Sequence, residues 1–190
     1  MTCDFSSEKY HRALREAFPN FDNVIDLQIS DVLNTSEVDQ EKSFFIELRI
    51  KNNADVPVYL FKDYLCFKRI NPTIVDADLD TVRLHCILFD CVGEKQLYLP
   101  SDLIEIEPQD TRKVKAQKLN FYLYDAFVPG TYKVKIMYEY ELPHYIPEPD
   151  REYAEMEASI KECYCKALRG SFHSNWFQWT KTNFEARFFV

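Results

Sequence analysis

Glycine is almost missing from this chain: three residues, Gly93, Gly130 and Gly170, in a sequence of 190. A glycine-rich phosphate cradle or a Gly-x-Ser-x-Gly nucleophile elbow needs several at close spacing. Neither motif is present, which argues against nucleotide enzymes and serine hydrolases. Positive charge is also short. With 23 basic against 31 acidic side chains and a formal net charge of −8, the sequence carries no basic footprint for nucleic acid. No apolar run approaches the ~20 residues that span a bilayer, so no transmembrane segment is expected. Residues 1–20 lack the basic-then-apolar layout of a signal peptide.

Metal-ligand patterns are lacking too. The four histidines (His11, His85, His144, His173) form no HxH, HExxH or Cys-His cluster. The carboxylates Asp76, Asp78 and Asp80 resemble the start of a calcium loop, but Thr81 and Ile87 stand where an EF-hand needs its glycine and terminal glutamate. They read as a solvated acidic loop. No metal or cofactor is expected. The six cysteines (Cys3, Cys66, Cys86, Cys91, Cys163, Cys165) are too sparse for a disulfide scaffold, and Cys163-Tyr164-Cys165 has the wrong gap for a CxxC hook. Reduced, buried thiols are the first expectation and a disulfide the alternative.

What the chain does have is aromatic side chains, 15 Phe, 12 Tyr and 2 Trp, a composition that suits pleated sheet. A short helix is expected at about 7–18, capped by Ser6, with Tyr10, Leu14 and Ala17 or Phe18 on one face and Pro19 ending it. From residue 23 the period changes to two. Ile25, Leu27 and Ile29, then Phe44, Ile46, Leu48 and Ile50, alternate with polar residues, as antiparallel strands with one wet face do. "KNNADVP" supplies a turn, and further strands are expected at about 57–62, in "RLHCIL", "KQLYLP", "DLIEIEP" and "VKAQKLNFYLY". The longest alternation is Tyr132, Val134, Ile136, Tyr138 and Tyr140 against Lys133, Lys135, Glu139 and Glu141. A helix follows at about 150–168, capped by Asp150 and stopped by Gly170, with Tyr153, Met156, Ile160, Cys163 or Tyr164, and Ala167 on its apolar stripe. A last strand is expected through Phe184, Ala186, Phe188 and Val190. The fold class is therefore mainly β, an antiparallel sandwich. Residues 1–22 form a helical lead-in and 23–190 the β domain, with a helical insertion at about 150–168.

Two segments carry a family resemblance. "VPGTYKVKIMYEY" followed by "WTKTNFEARFFV" resembles the end of an immunoglobulin-like β-sandwich found in bacterial surface proteins and lipoproteins, through Pro129, Gly130, Tyr132, Trp179, Thr182 and Asn183. "FFIELRIKNNADVPVYL" is similar to the strand, turn and strand near the start of such domains, including those likened to intracellular proteinase inhibitors. The resemblance implies a Pro129-Gly130 turn into a core strand, with Tyr132 anchoring it as a tyrosine corner does. Lys181 replaces the glycine usual after the Trp-Thr pair, and the helix at about 150–168 has no counterpart.

The expected function is a non-catalytic binding or structural module making a protein contact, as in a cell-envelope lipoprotein domain. The acidic balance favours a cationic partner at long range. Tyr145, Tyr153, Trp176 and Trp179 are the candidate contact residues, because rigid aromatics supply contact area at low entropic cost. The alternatives are an inhibitor or immunity-type protein that blocks a protease or toxin, and a carbohydrate-binding module using the same aromatics. Glu139 and Glu141 share a polar face with lysines and read as solvated, not as a catalytic pair. Cys3 is a candidate lipid anchor if a leader once preceded it; membrane attachment is expected only in that case. The chain is then expected in the cell envelope or secreted, and otherwise in the cytoplasm.

Overall fold

A computed structural model of the chain describes residues 5–35, 43–62, 73–76, 78, 97–115, 130–144 and 151–181. Helix α1 (Phe5–Ala17) leads into strands β1 (Ile25–Thr35) and β2 (Ser43–Asn52). After them come β3 (Val58–Phe61), β4 (Thr73–Val75), β5 (Leu103–Ile106), β6 (Thr111–Lys115), β7 (Gly130–Lys135) and β8 (Met137–Tyr140). Helix α2 (Glu157–Lys166), preceded by a 3-10 segment Arg151–Met156, separates β8 from β9 (Gly170–His173) and β10 (Phe177–Lys181). The described chain is thus mainly β. Its strands pair antiparallel in the orders β1-β2-β6, β10-β7-β4, β3-β5 and β8-β9.

The β1–β2 ladder is long because both strands alternate. Ile25, Leu27 and Ile29 on one, and Ile46, Leu48 and Ile50 on the other, are buried in one core. The register slips at Ser30, between Ile29 and Asp31, where the Ser30 hydroxyl donates to Glu47 Oε1 at 2.8 Å. The "KNNADVP" turn is fixed from inside by Asn52. Its wholly buried amide donates to the carbonyls of Val56 (2.8 Å), Ile106 (3.0 Å) and Glu107 (3.1 Å), and its Oδ1 accepts from Ala54 N–H at 2.8 Å. One asparagine therefore ties β2 to the turn and to the end of β5. Pro57, with no N–H to give, stands just before β3.

The longest alternation is buried as its pattern predicts, with Tyr132, Val134, Ile136, Tyr138 and Tyr140 all inward. It is not one strand. At Ile136 the ladder changes partner: residues before it pair with β10 and β4, and residues after it with β9. Ser174 serves both orphaned groups of Ile136, donating its N–H to Ile136 O at 2.9 Å and accepting Ile136 N–H on its hydroxyl at 3.0 Å. "KQLYLP" is not a strand either where it is described: Leu97 to Leu99 run without ladder bonds into a 3-10 turn at Pro100–Asp102.

Both helices differ from their apolar pattern. α1 begins at Phe5, so Ser6 lies inside it, and its buried face is Ser7, His11 and Leu14, with Tyr10 and Phe18 half-buried and Ala17 exposed. Leu14 is the one hydrophobic member of that buried set. In α2, Ile160, Cys163, Tyr164 and Cys165 are buried, but Met156 is 38% exposed. The 3-10 turn before it advances three residues per turn, not 3.6, and rotates Met156 off the stripe. The helix ends at Lys166, before Gly170, which opens β9 at φ 141°. A Cβ at Gly170 would meet the Phe21 and Phe172 rings at 3.2–3.3 Å, so both the backbone angle and the packing require glycine there.

The expectation of reduced thiols is corrected at Cys165, which is disulfide-bonded, while Cys163 is free and buried. Two residues apart on a helix, the sulfurs point to different sides and cannot meet each other; pairing follows proximity in space, which spacing along the chain does not encode. The pKa of the Cys163 thiol, which lies 3.6 Å from Tyr98 O, is pushed up to about 12, chiefly by burial. Among the described residues no helix is long and apolar enough to cross a membrane. The expected strands around Leu84 and Ala186, most of the "VKAQKLNFYLY" strand, and His85, Thr182 and Asn183 lie outside the described residues.

Candidate functional site

The two tryptophans are separated by where β10 begins, Trp179 lying inside the strand and Trp176 just before it. In β10, Trp179 faces inward opposite Tyr132, with ring centroids 5.5 Å apart and 31° between planes, and is only 4% exposed. Trp176 stands 48% exposed at the β9–β10 corner. The pair does not form one aromatic platform.

The corner that carries Trp176 is held tightly. Ser174 is clamped to Ile136 by the two bonds already described and forms a parallel bridge with Leu27. Its hydroxyl also donates to Asn175 O at 2.7 Å. Asn175 Oδ1 accepts Ile29 N–H at 2.9 Å, so the residue next to the tryptophan is stitched into β1. The stitch falls at the β1 bulge, where the β1–β2 register slips immediately after Ile29.

Around Trp176 the outward face of the β10-β7-β4 sheet is cationic. Lys135 Nζ lies 5.8 Å from the Trp176 ring centroid, within cation–π range. Lys133 is opposite Gln178 on one side and Val75 on the other. Neither lysine has a carboxylate partner among the described residues. Thr131 and Thr180 complete the face, their hydroxyls 3.4 Å apart. A solvent-facing indole on a tightly held corner, beside two lysines without carboxylate partners among the described residues, can dock into an apolar recess with an acidic rim.

The other expected contact residues are placed differently. Tyr153 is half-buried against the core, and Tyr145 lies outside the described residues. Gly130 opens β7 opposite Lys181, and Tyr132 is buried under Trp179; Pro129 and the candidate anchor Cys3 lie outside the described residues. Glu139 is exposed and accepts the Ser171 hydroxyl at 3.1 Å, and Glu141 is exposed. In the acidic loop, Asp78 N–H donates to Asp76 Oδ1 at 3.0 Å, a local turn bond; Asp80 lies outside the described residues. No group of three or more metal-ligating side chains occurs among the described residues.

His11 escaped the sequence reading because it is a polar residue on a buried helix face. It is 2% exposed, with Nε2 donating to Cys165 O at 2.9 Å. That bond sets the tautomer and leaves Nδ1 buried without a partner. Burial first, and then the nearby Arg169 and Arg15 charges, lower its pKa from 6.5 to about 4, against the opposing pull of the Cys165 carbonyl and Glu8. A scan of the chain against protein-family models finds no match, and a search of curated proteins finds none.

Proposed function

We propose that this chain is a non-catalytic protein-binding module, an immunoglobulin-like sandwich used as a scaffold, with Trp176 as its contact residue. The observation that carries the reading is the combination of exposure and fixation at Trp176, whose neighbours are bonded to β1 and to Ile136. A corner whose backbone is already held in place avoids the loop-ordering part of the cost of association. Buried tryptophan anchors commonly contribute ~2 kcal/mol or more to an interface.

The sign of the partner follows from range. The chain's net charge of −8 favours cations at a distance, but at physiological salt the Debye length is about 8 Å. At contact, Lys133 and Lys135 dominate, and the complementary surface is an acidic protein patch with an apolar recess. A lipid on Cys3 would tether such a module to a cell envelope; mass spectrometry of the native N-terminus decides that point.

Affinity capture at physiological salt, run in parallel for the wild type, Trp176→Ala and Lys133→Glu/Lys135→Glu, tests the reading. Partners retained by the wild type and lost from both variants support it. An identical captured set for all three removes Trp176 from the function.

A further inference from the structure

We propose that a second site, at the junction of α1 and the α2–β9 connection, binds a small zwitterion with an apolar body, the chemistry of a free apolar amino acid. The inference is independent of the Trp176 reading. The site is a pocket of about 290 Å³, the lower end of small-molecule sites. Its apolar walls are Phe21, Tyr140 and Leu142, and its charged ones Arg15, Arg169 and Glu141.

The charges are not equivalent. Arg169 is already committed, with Nη1 3.1 Å from Glu8 Oε1 and Nη2 donating to Cys165 O at 3.4 Å. Arg15 has no carboxylate partner among the described residues; its guanidinium lies over the Phe21 ring, 5.8 Å from the centroid. Glu141 is exposed and makes no ion pair among the described residues, with Arg15 or with any other cation. Among the described residues a cation and an anion without ion-pair partners thus line one pocket, too far apart to neutralise each other, and the space between them is walled by aromatic and aliphatic carbon. Counting Glu8, the four charged side chains cancel, so neither a lone anion nor a lone cation is favoured over a molecule bearing both.

The walls are fixed independently of any ligand. The Tyr140 side chain is 1% exposed, its hydroxyl donating to Tyr164 O at 3.0 Å and its ring packed 5.3 Å from that of Phe61, so it backs the pocket from the core. Gly170, also on the lining, keeps Phe21 seated where any larger residue would push against it. In this arrangement Arg15 takes the ligand's carboxylate, Glu141 takes its ammonium group, and the side chain lies along Phe21 and Leu142.

The test is calorimetric or NMR titration of the full chain with L-phenylalanine, phenylacetate and phenethylamine, which share a ring and differ in charge. Phenylalanine is expected to bind about tenfold more tightly than either single-charge analogue, the effect of one charge-assisted contact at a half-open site. Arg15→Gln should bring phenylalanine down to the level of phenethylamine and leave phenethylamine unchanged. Glu141→Gln should do the converse with phenylacetate. Both side chains are exposed, so unchanged thermal melts are expected for the variants. Equal binding of the three probes, no saturable binding of phenylalanine, or a charge preference that survives both substitutions overturns the proposal.

Discussion

Acidification should loosen this fold through His11 in a way that a single substitution isolates. The imidazole is buried, donates from Nε2 to the Cys165 carbonyl, and presents an unpartnered Nδ1 to the interior. Its pKa falls from 6.5 to about 4, because a proton on Nδ1 would place an unsolvated charge beside two arginines. The sign follows from linkage. Between those two values the unfolded chain binds a proton that the folded chain does not, so stability rises with pH across this window and is lost as pH falls through it. Above the unfolded value the group contributes no pH dependence.

The full gap corresponds to at most about 3 kcal/mol, and the local slope to at most about 1.4 kcal/mol per pH unit. Carboxylates titrate in the same acid range, so the wild type alone does not identify the source. His11→Gln keeps a donor for the Cys165 carbonyl and removes the titration. Urea unfolding of both proteins from pH 7 to pH 4.5 should give curves that converge in slope near neutrality. Below pH 6.5 the wild type should lose more stability than the variant, by about 2 kcal/mol at pH 4.5 to 5. Parallel curves over the whole range would refute the assignment.

Three further outcomes follow from the packing. Asn52→Leu removes the partner of one buried and two part-buried carbonyls and of one buried N–H; chemical denaturation should show a loss of about 3 kcal/mol, and a near-neutral result would mean the turn is held by other contacts. Gln109 sits at φ 62° between β5 and β6, so Gln109→Gly should raise stability by up to about 1 kcal/mol, reduced by loss of its exposed bond to Asn53 O, and should raise the thermal midpoint. In Trp179→Phe the remaining indole should emit at long wavelength and be quenched readily by acrylamide; in Trp176→Phe it should be blue-shifted and protected, and similar quenching in the two would contradict the burial of one and exposure of the other.

How far the fold could be read from the sequence depended on the kind of signal. Period-two alternation located β1, β2 and β7–β8 and assigned inward and outward faces correctly through Tyr140, because burial enforces it residue by residue. The change of partner at Ile136 was invisible: it depends on Ser174, 38 residues away. The α1 face was half-legible. Leu14 announces it, but His11 is buried through its bond to Cys165 O on α2, not by its own apolarity. Met156 was misplaced because a 3-10 turn was not distinguishable from α-helix in a stretch with both periods. For the candidate site the separation of Trp176 from Trp179 was not legible, because it depends on β10 beginning at Phe177, just after Trp176. The lysines beside Trp176 were visible as an outward row, but their adjacency to it required the β7–β10 register. The pocket that joins Arg15 to Glu141 brings together residues 126 positions apart, beyond any local pattern.

The central claim is that Trp176 is where this protein meets its partner. A photoreactive benzoylphenylalanine placed at position 176, with the same group at exposed Met156 as the control, tests it by contact. Irradiation in native lysate should give a discrete adduct from position 176 alone, abolished by Lys133→Glu/Lys135→Glu. No adduct at 176, or the same adducts from both positions, would contradict it.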